Sequence, residues 1–143
     1  VVVVDANVLL HAVNSESSSH DVARAWLDSA LDGAESVGLA WVALLAFIRI
    51  STRPGIYPRP LAPADAMDVV EGWLSRPSAV VVEPTPRHAA VLRALLEGAG
   101  TAGNLTTDAH LAALALEHKA EIASFDRDFQ RFEGLRSRVP SAA

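Results

Sequence analysis

The chain has 143 residues, half of them hydrophobic and 20% charged, with a net charge of -5 and no cysteine. That length and apolar content describe one domain with an ample core rather than a disordered segment, while the lack of cysteine excludes a disulfide framework or a thiolate metal site and suits a reducing cytoplasm. An acidic balance argues against a general nucleic-acid coat, whose affinity comes from basic surface, and no apolar run approaches the length of a membrane span.

The run Val1-Val2-Val3-Val4 lacks the alternation of a half-exposed strand. It reads as a strand buried on both faces, the kind found in parallel sheets covered by helices. Asp5, Ala6 and Asn7 follow at its carboxyl end, where open α/β sheets bind ligands and helices begin. Asp5 is therefore either a helix cap or a functional carboxylate, and for that residue alone the cap is the stronger reading.

After a serine-rich loop, Ser18 and Asp21 resemble a capping pair, and Val22, Ala23, Trp26, Leu27 and Ala30 form the apolar face of a helix ending at Gly33. Residues 36–40 read as a second buried strand, and Trp41 to about Arg53 as a strongly apolar helix closed by Pro54. No acidic residue occurs between Glu35 and Asp65, an interval holding Arg49, Arg53 and Arg59. These arginines are either an ordinary solvated set or a track for a phosphate backbone.

Pro63 suits the first position of a further helix, with Ala66, Val70, Trp73 and Leu74 as its face, and Ala79 to Glu83 reads as a third doubly buried strand. Thr85-Pro86 signals another helix, carrying Val91, Leu92, Leu95 and Leu96 and ending near Gly98. Asn104 to Asp108 is a cap-rich start for a helix from about Asp108 to His118 that is apolar nearly all round, with His110 facing solvent. Glu121 to Ser124 is a fourth strand, and Phe125, Phe129 and Phe132 fall on one face of a short helix beyond it.

Four short buried strands separated by helices define a three-layer α/β domain spanning residues 1–143, with a mostly parallel sheet of four to five strands. Asp5 and Asp126 follow strands and Asp108 starts a helix, so all three can meet at the carboxyl edge. Converging carboxylates repel unless a cation joins them or one holds a proton. An all-oxygen set of this kind suits Mg²⁺ or Mn²⁺.

Asp5-Ala6-Asn7, the stretch Gly103 to Ala113 containing Thr106-Thr107-Asp108-Ala109-His110, and Ser124-Phe125-Asp126-Arg127-Asp128-Phe129 together resemble the PIN-domain ribonucleases, above all the VapC toxins of bacterial type II toxin–antitoxin systems. The resemblance covers essentially the whole chain, and it is the order and spacing of the motifs that are specific. It implies a Mg²⁺-dependent endoribonuclease acting on tRNA or rRNA loops or on mRNA. It also implies a homodimer held inactive in a hetero-oligomer with a VapB antitoxin. Asp5, Asp108 and Asp126 match the family's metal-binding catalytic acids, with Asp128 as an auxiliary. Asn7, Thr107 and Ser124 are candidates to hydrogen-bond those carboxylates.

One position departs from the pattern. Where the family places a Glu in the helix after the second strand, this chain has Ala46. That keeps open a non-catalytic PIN-fold dimer that binds antitoxin or RNA without cutting it. A phosphatase using Asp5 as nucleophile is a third class, but it would want an acid where Asn7 stands.

Overall fold

The computed structural model describes residues 1–141 as a five-stranded, wholly parallel sheet between two helical layers. The strands are β1 (Val2–Val4), β2 (Val37–Leu39), β3 (Ala79–Val81), β4 (Glu121–Ala123) and β5 (Ser137–Arg138), ordered β3-β2-β1-β4-β5 across the sheet. The helices are α1 (Ala6–Val13), α2 (His20–Leu31), α3 (Trp41–Ser51), α4 (Pro63–Leu74), α5 (His88–Ala99) and α6 (Thr106–Glu117).

The valine run of β1 is central and fully buried because its alternate side chains enter two different cores. Val2 and Val4 pack with Val8, Leu9, Leu27, Leu44 and Phe47 under α1 to α4. Val3 packs with Leu95, Ala112, Leu114, Ile122 and Phe129 under α5 and α6. Burying each such aliphatic side chain contributes about 1.5–3 kcal/mol, so a strand of three residues is held by its two faces more than by its ladder. Gly38 permits the close approach of β2, since a Cβ there would lie 3.0 Å from Val82 Cγ1 and 3.1 Å from Val3 Cγ2.

The chain runs outward from β1 through β2 to β3, then crosses the other face to reach β4 on the opposite side of β1. The connection therefore changes direction between β1 and β4. In such sheets the crevice at that reversal, beyond the carboxyl ends of the strands, is where ligands bind.

Several local expectations change. The third strand is an edge rather than a doubly buried strand, and Val80 and Val81 are 41% and 42% exposed. A fifth strand, β5, has no sequence signal; it is two polar residues long and is anchored by Arg138 Nε donating to Glu121 Oε2 at 2.6 Å. Ser19, not Ser18, precedes α2, and it makes no side-chain capping bond. α5 runs past Gly98 and stops at Gly100, whose left-handed φ of 75° is a conformation favouring glycine. Phe129 and Phe132 are buried together beside α6, whereas Phe125 packs on the opposite core against His11, so the three rings do not share one face.

Candidate active site at the carboxyl edge

Asp5 continues the β1 ladder, its N–H donating to the Ala123 carbonyl at 3.0 Å. Its side chain caps α1, Oδ1 accepting from Ala6 N–H at 2.8 Å. Capping leaves the other carboxylate oxygen available. Oδ2 accepts from Ser124 Oγ at 2.7 Å, and the same Ser124 oxygen accepts from Asn7 Nδ2 at 3.1 Å and from Asp126 N–H at 2.9 Å. The hydroxyl thus has its one proton on Asp5 and both lone pairs filled. Asn7 Oδ1 accepts from Phe125 N–H at 3.2 Å, which fixes the orientation of the amide, and Asp126 Oδ1 accepts from Asp128 N–H at 2.8 Å. One hydrogen-bond network ties the end of β1 to the end of β4, across the reversal point.

Asp108 enters from the other helical layer. It is the third residue of α6 rather than its cap, Leu105 precedes the helix, and no side chain bonds this helix start. Burial, then the negative charges of Asp5, Asp126 and Asp128, push its carboxyl from 3.8 up to about 6. Burial also raises Asp5, against the pull of the Ser124 and Ala6 bonds and with a further push from Asp126. The four aspartates share one electrostatic environment.

A carboxyl that binds its proton more tightly folded than unfolded stabilises the fold below about pH 3.8 relative to its ionised state. That contribution is lost as pH rises through about 6. Without added metal at about pH 7.5, Asp108→Asn is therefore expected to be more stable than the wild type by about 1–2 kcal/mol after solvent screening. Thermal melting should show the gain shrinking toward zero near pH 4; equal melting temperatures across that range would remove the carboxylate cluster as a source of strain.

Candidate donors for a cation are thus Asp5, Asp108 and Asp126. Among the described residues, no group of three His, Cys, Asp or Glu side chains is gathered closely enough to hold an ion as the side chains stand. The donor chemistry nonetheless fits a hard divalent cation, because the donors are all oxygen and a positive ion would offset both the burial and the repulsion that raise Asp108.

The remaining expected residues divide. Ser124 hydrogen-bonds Asp5 directly, whereas Asn7 bonds Ser124 and not a carboxylate. Asp128 is exposed and acts on Asp108 through its charge. Thr107 is exposed and makes no side-chain hydrogen bond among the described residues. Arg49 and Arg53 are exposed and form no ion pair among the described residues, while Arg59 pairs with Glu16 at 3.7 Å. Ala46 is half-buried and belongs to neither core cluster.

His110 is not the solvent-facing residue expected from sequence. Its Nδ1 lies 2.9 Å from His88 Nε2, and His88 Nδ1 bonds the Oε2 of Glu117. Glu117, whose side chain is wholly buried, also accepts from Thr85 N–H at 2.9 Å and Thr85 Oγ1 at 2.6 Å. Burial alone would raise its pKa, but the bonds from Thr85 and His88 outweigh burial and hold it below the usual carboxylate range. The sequence signal for this group was an acid, Glu117, directly after the apolar stretch Leu111 to Leu116.

Aspartates brought from two strand ends and a helix start to the reversal point of a parallel sheet are the arrangement of a PIN domain. The PIN domain matches residues 2–135, and the chain belongs to that family. Within it the chain is of the VapC type. Ribonuclease VapC37 of Mycobacterium tuberculosis is 56% identical over 140 residues, 98% of this chain and 97% of that one. Ribonuclease VapC33 of the same species is 40% identical over 136 residues, 95% of each chain. The fold also matches solved structures: VapBC2 from Rickettsia felis bound to a DNA fragment from their promoter (TM-score 0.71, 16% identity, 96% of this chain and 97% of that one), and Mycobacterium tuberculosis VapC20, a sarcin–ricin loop cleaving toxin (TM-score 0.68, 17% identity, 95% and 99%).

Proposed function

We propose that this chain is a Mg²⁺-dependent endoribonuclease toxin, with Mn²⁺ as an alternative metal, that cleaves RNA in tRNA or rRNA loops or in mRNA and is neutralised by a VapB-type antitoxin. The observation that carries this reading is the shared environment of four aspartates at the carboxyl edge, where burial first, and then the charges of Asp5, Asp126 and Asp128, push Asp108 up to about 6. Such mutual repulsion weakens a fold unless a cation is its purpose. The VapC relatives named ribonucleases and the VapBC complex among the structural neighbours support it.

Asp5, Asp108 and Asp126 would hold the metal, with Asp128 adding negative charge at the rim. When bound, a divalent ion supplies a water of lowered pKa and positive charge for the phosphoryl oxygens. Ser124, itself bonded by Asn7, donates to Asp5 Oδ2 and fixes the orientation of the carboxylate, so it need not reorganise as the reaction proceeds. The ionised carboxylates accept hydrogen bonds from the attacking water and direct its lone pair at phosphorus. No helix among the described residues is long and apolar enough to cross a membrane.

The test is cleavage of RNA by the wild type and Asp5→Asn, each with and without Mg²⁺. A second reading, a PIN-fold dimer that binds antitoxin or RNA without cutting, is favoured by Ala46 and by the open spacing of the donors. It predicts RNA binding with no cleavage in any arm. Exposed Arg49 and Arg53 are assigned to the RNA backbone, and Arg59 joins them only if its pair with Glu16 opens. Reversing the charge of Arg49 and Arg53 together is expected to weaken RNA binding and lower the slope of log affinity against log salt by about 2. An unchanged slope returns both arginines to ordinary solvated surface.

A further inference from the structure

A pocket of about 260 Å³ opens beside the acidic edge, lined by Ala40, Trp41, Val82, Glu83, His110 and Leu114 among others. Its place follows from strand register. Val3 pairs with Gly38 and Gly38 with Val80, so two residues further on Asp5, Ala40 and Val82 form one row across β1, β2 and β3. With strands about 4.8 Å apart, the pocket floor lies about 5–10 Å from Asp5 along the same edge, within reach of a nucleotide next to one held at the aspartates.

Two features of this pocket are chemically specific. Trp41 is the first residue of α3, lines the pocket and is 43% exposed. His110 is fixed from behind by the buried chain through His88 to Glu117. The carboxylate can only accept, so His88 Nδ1 donates to it; when Nε2 is the unprotonated nitrogen of His88, it accepts from His110 Nδ1–H. In that arrangement the ring of His110 is set in one tautomer whose Nε2, unbonded among the described residues, carries a free lone pair. The other polar residue on the lining, Glu83, has a carboxylate that likewise only accepts.

Resting on the ribonuclease reading, we propose that this pocket is a nucleobase subsite: one base flanking the scissile bond stacks on Trp41 and presents hydrogen-bond donors to His110 Nε2 and Glu83. A lining of acceptors selects guanine, whose N1–H and N2 amino group place two donors side by side. Uracil, with one donor between two carbonyls, fits worst. Stacking on an aromatic face gives affinity without regard to sequence, and the acceptors give the choice of base. His88 and Glu117 are positioning residues that act through His110.

The test uses the full chain with Mg²⁺ and a set of RNAs identical except for G, inosine, A, C or U on either side of the cleaved bond. The wild type is expected to prefer guanine at one of those positions by about tenfold or more over uracil, with inosine, which lacks the N2 amino group, between them. His110→Ala and His88→Phe should flatten that preference, and Trp41→Ala should raise KM about tenfold for every base while changing kcat little. Trp41 is exposed, so that variant keeps its fold even where a histidine variant does not. Wild-type cleavage with base profile and KM unchanged in all three variants overturns the subsite and leaves the ribonuclease reading intact. Unchanged RNA kinetics with lost antitoxin neutralisation in Trp41→Ala makes the pocket a protein contact instead. A wild type that neither binds nor cuts RNA overturns both.

Discussion

Asp5→Asn is expected to reduce RNA cleavage by at least about a hundredfold while leaving the fold within about 1 kcal/mol of wild type. The separation is possible because Asp5 has two structural duties that an amide can perform. Asn caps helices as well as Asp, so its Oδ1 can still accept from Ala6 N–H. The amide nitrogen would then face Ser124 Oγ, which can accept from it by turning its proton to Asn7 Oδ1, 3.4 Å away, and giving up its bond from Asn7 Nδ2. What the amide cannot supply is charge toward a metal or water. Single-turnover cleavage and thermal melting of the same preparation check this: full cleavage would leave Asp5 as a cap only, and cleavage lost together with the fold would do the same.

Glu117→Ala is expected to be the most destabilising single change outside the aliphatic core, at about 3–5 kcal/mol. The substitution leaves Thr85 N–H, the Thr85 hydroxyl and His88 Nδ1–H without their buried acceptor. Because the folded carboxyl titrates below its ordinary 4.5, its contribution is present above that pH and is lost as pH falls through and below it. Denaturant unfolding of wild type and variant should show the gap at neutral pH and its narrowing under acid. A loss under about 1 kcal/mol at neutral pH would mean that water takes the place of the carboxylate.

The two residues differ in how far the sequence reveals them. Asp5 stands at the end of an unmistakable strand, so its place at the carboxyl edge follows from the valine run alone. Asp126 is legible for the same reason. Both turn out to be caps, and since a capping bond uses one carboxylate oxygen, the two readings of an Asp after a strand do not exclude each other. Asp108 was legible as a member of the set but not in its role, because a run of Asn, Thr and Asp offers several equivalent caps and only packing decides which residue starts the helix. Glu117, His88 and His110 were missed as a group. Glu117 lies 29 residues from His88, and no periodicity reports a hydrogen bond across that separation.

From the sequence alone came the layered α/β class, the positions of its four main strands along the chain, the proline start of α4 and the placing of Asp5 and Asp126 after strands and Asp108 at a helix start. Each rests on patterns within a few residues, where burial on two faces, helical period and backbone restriction leave direct marks on composition. Tertiary structure alone decided that β3 is an edge, that two polar residues form β5, that Ser124 serves Asp5 across 119 positions, and that a buried carboxylate fixes the ring of His110 beside a pocket. Edge position, strand pairing and the satisfaction of buried polar groups depend on which segments become neighbours, and that is a property of the assembled sheet rather than of any segment in it.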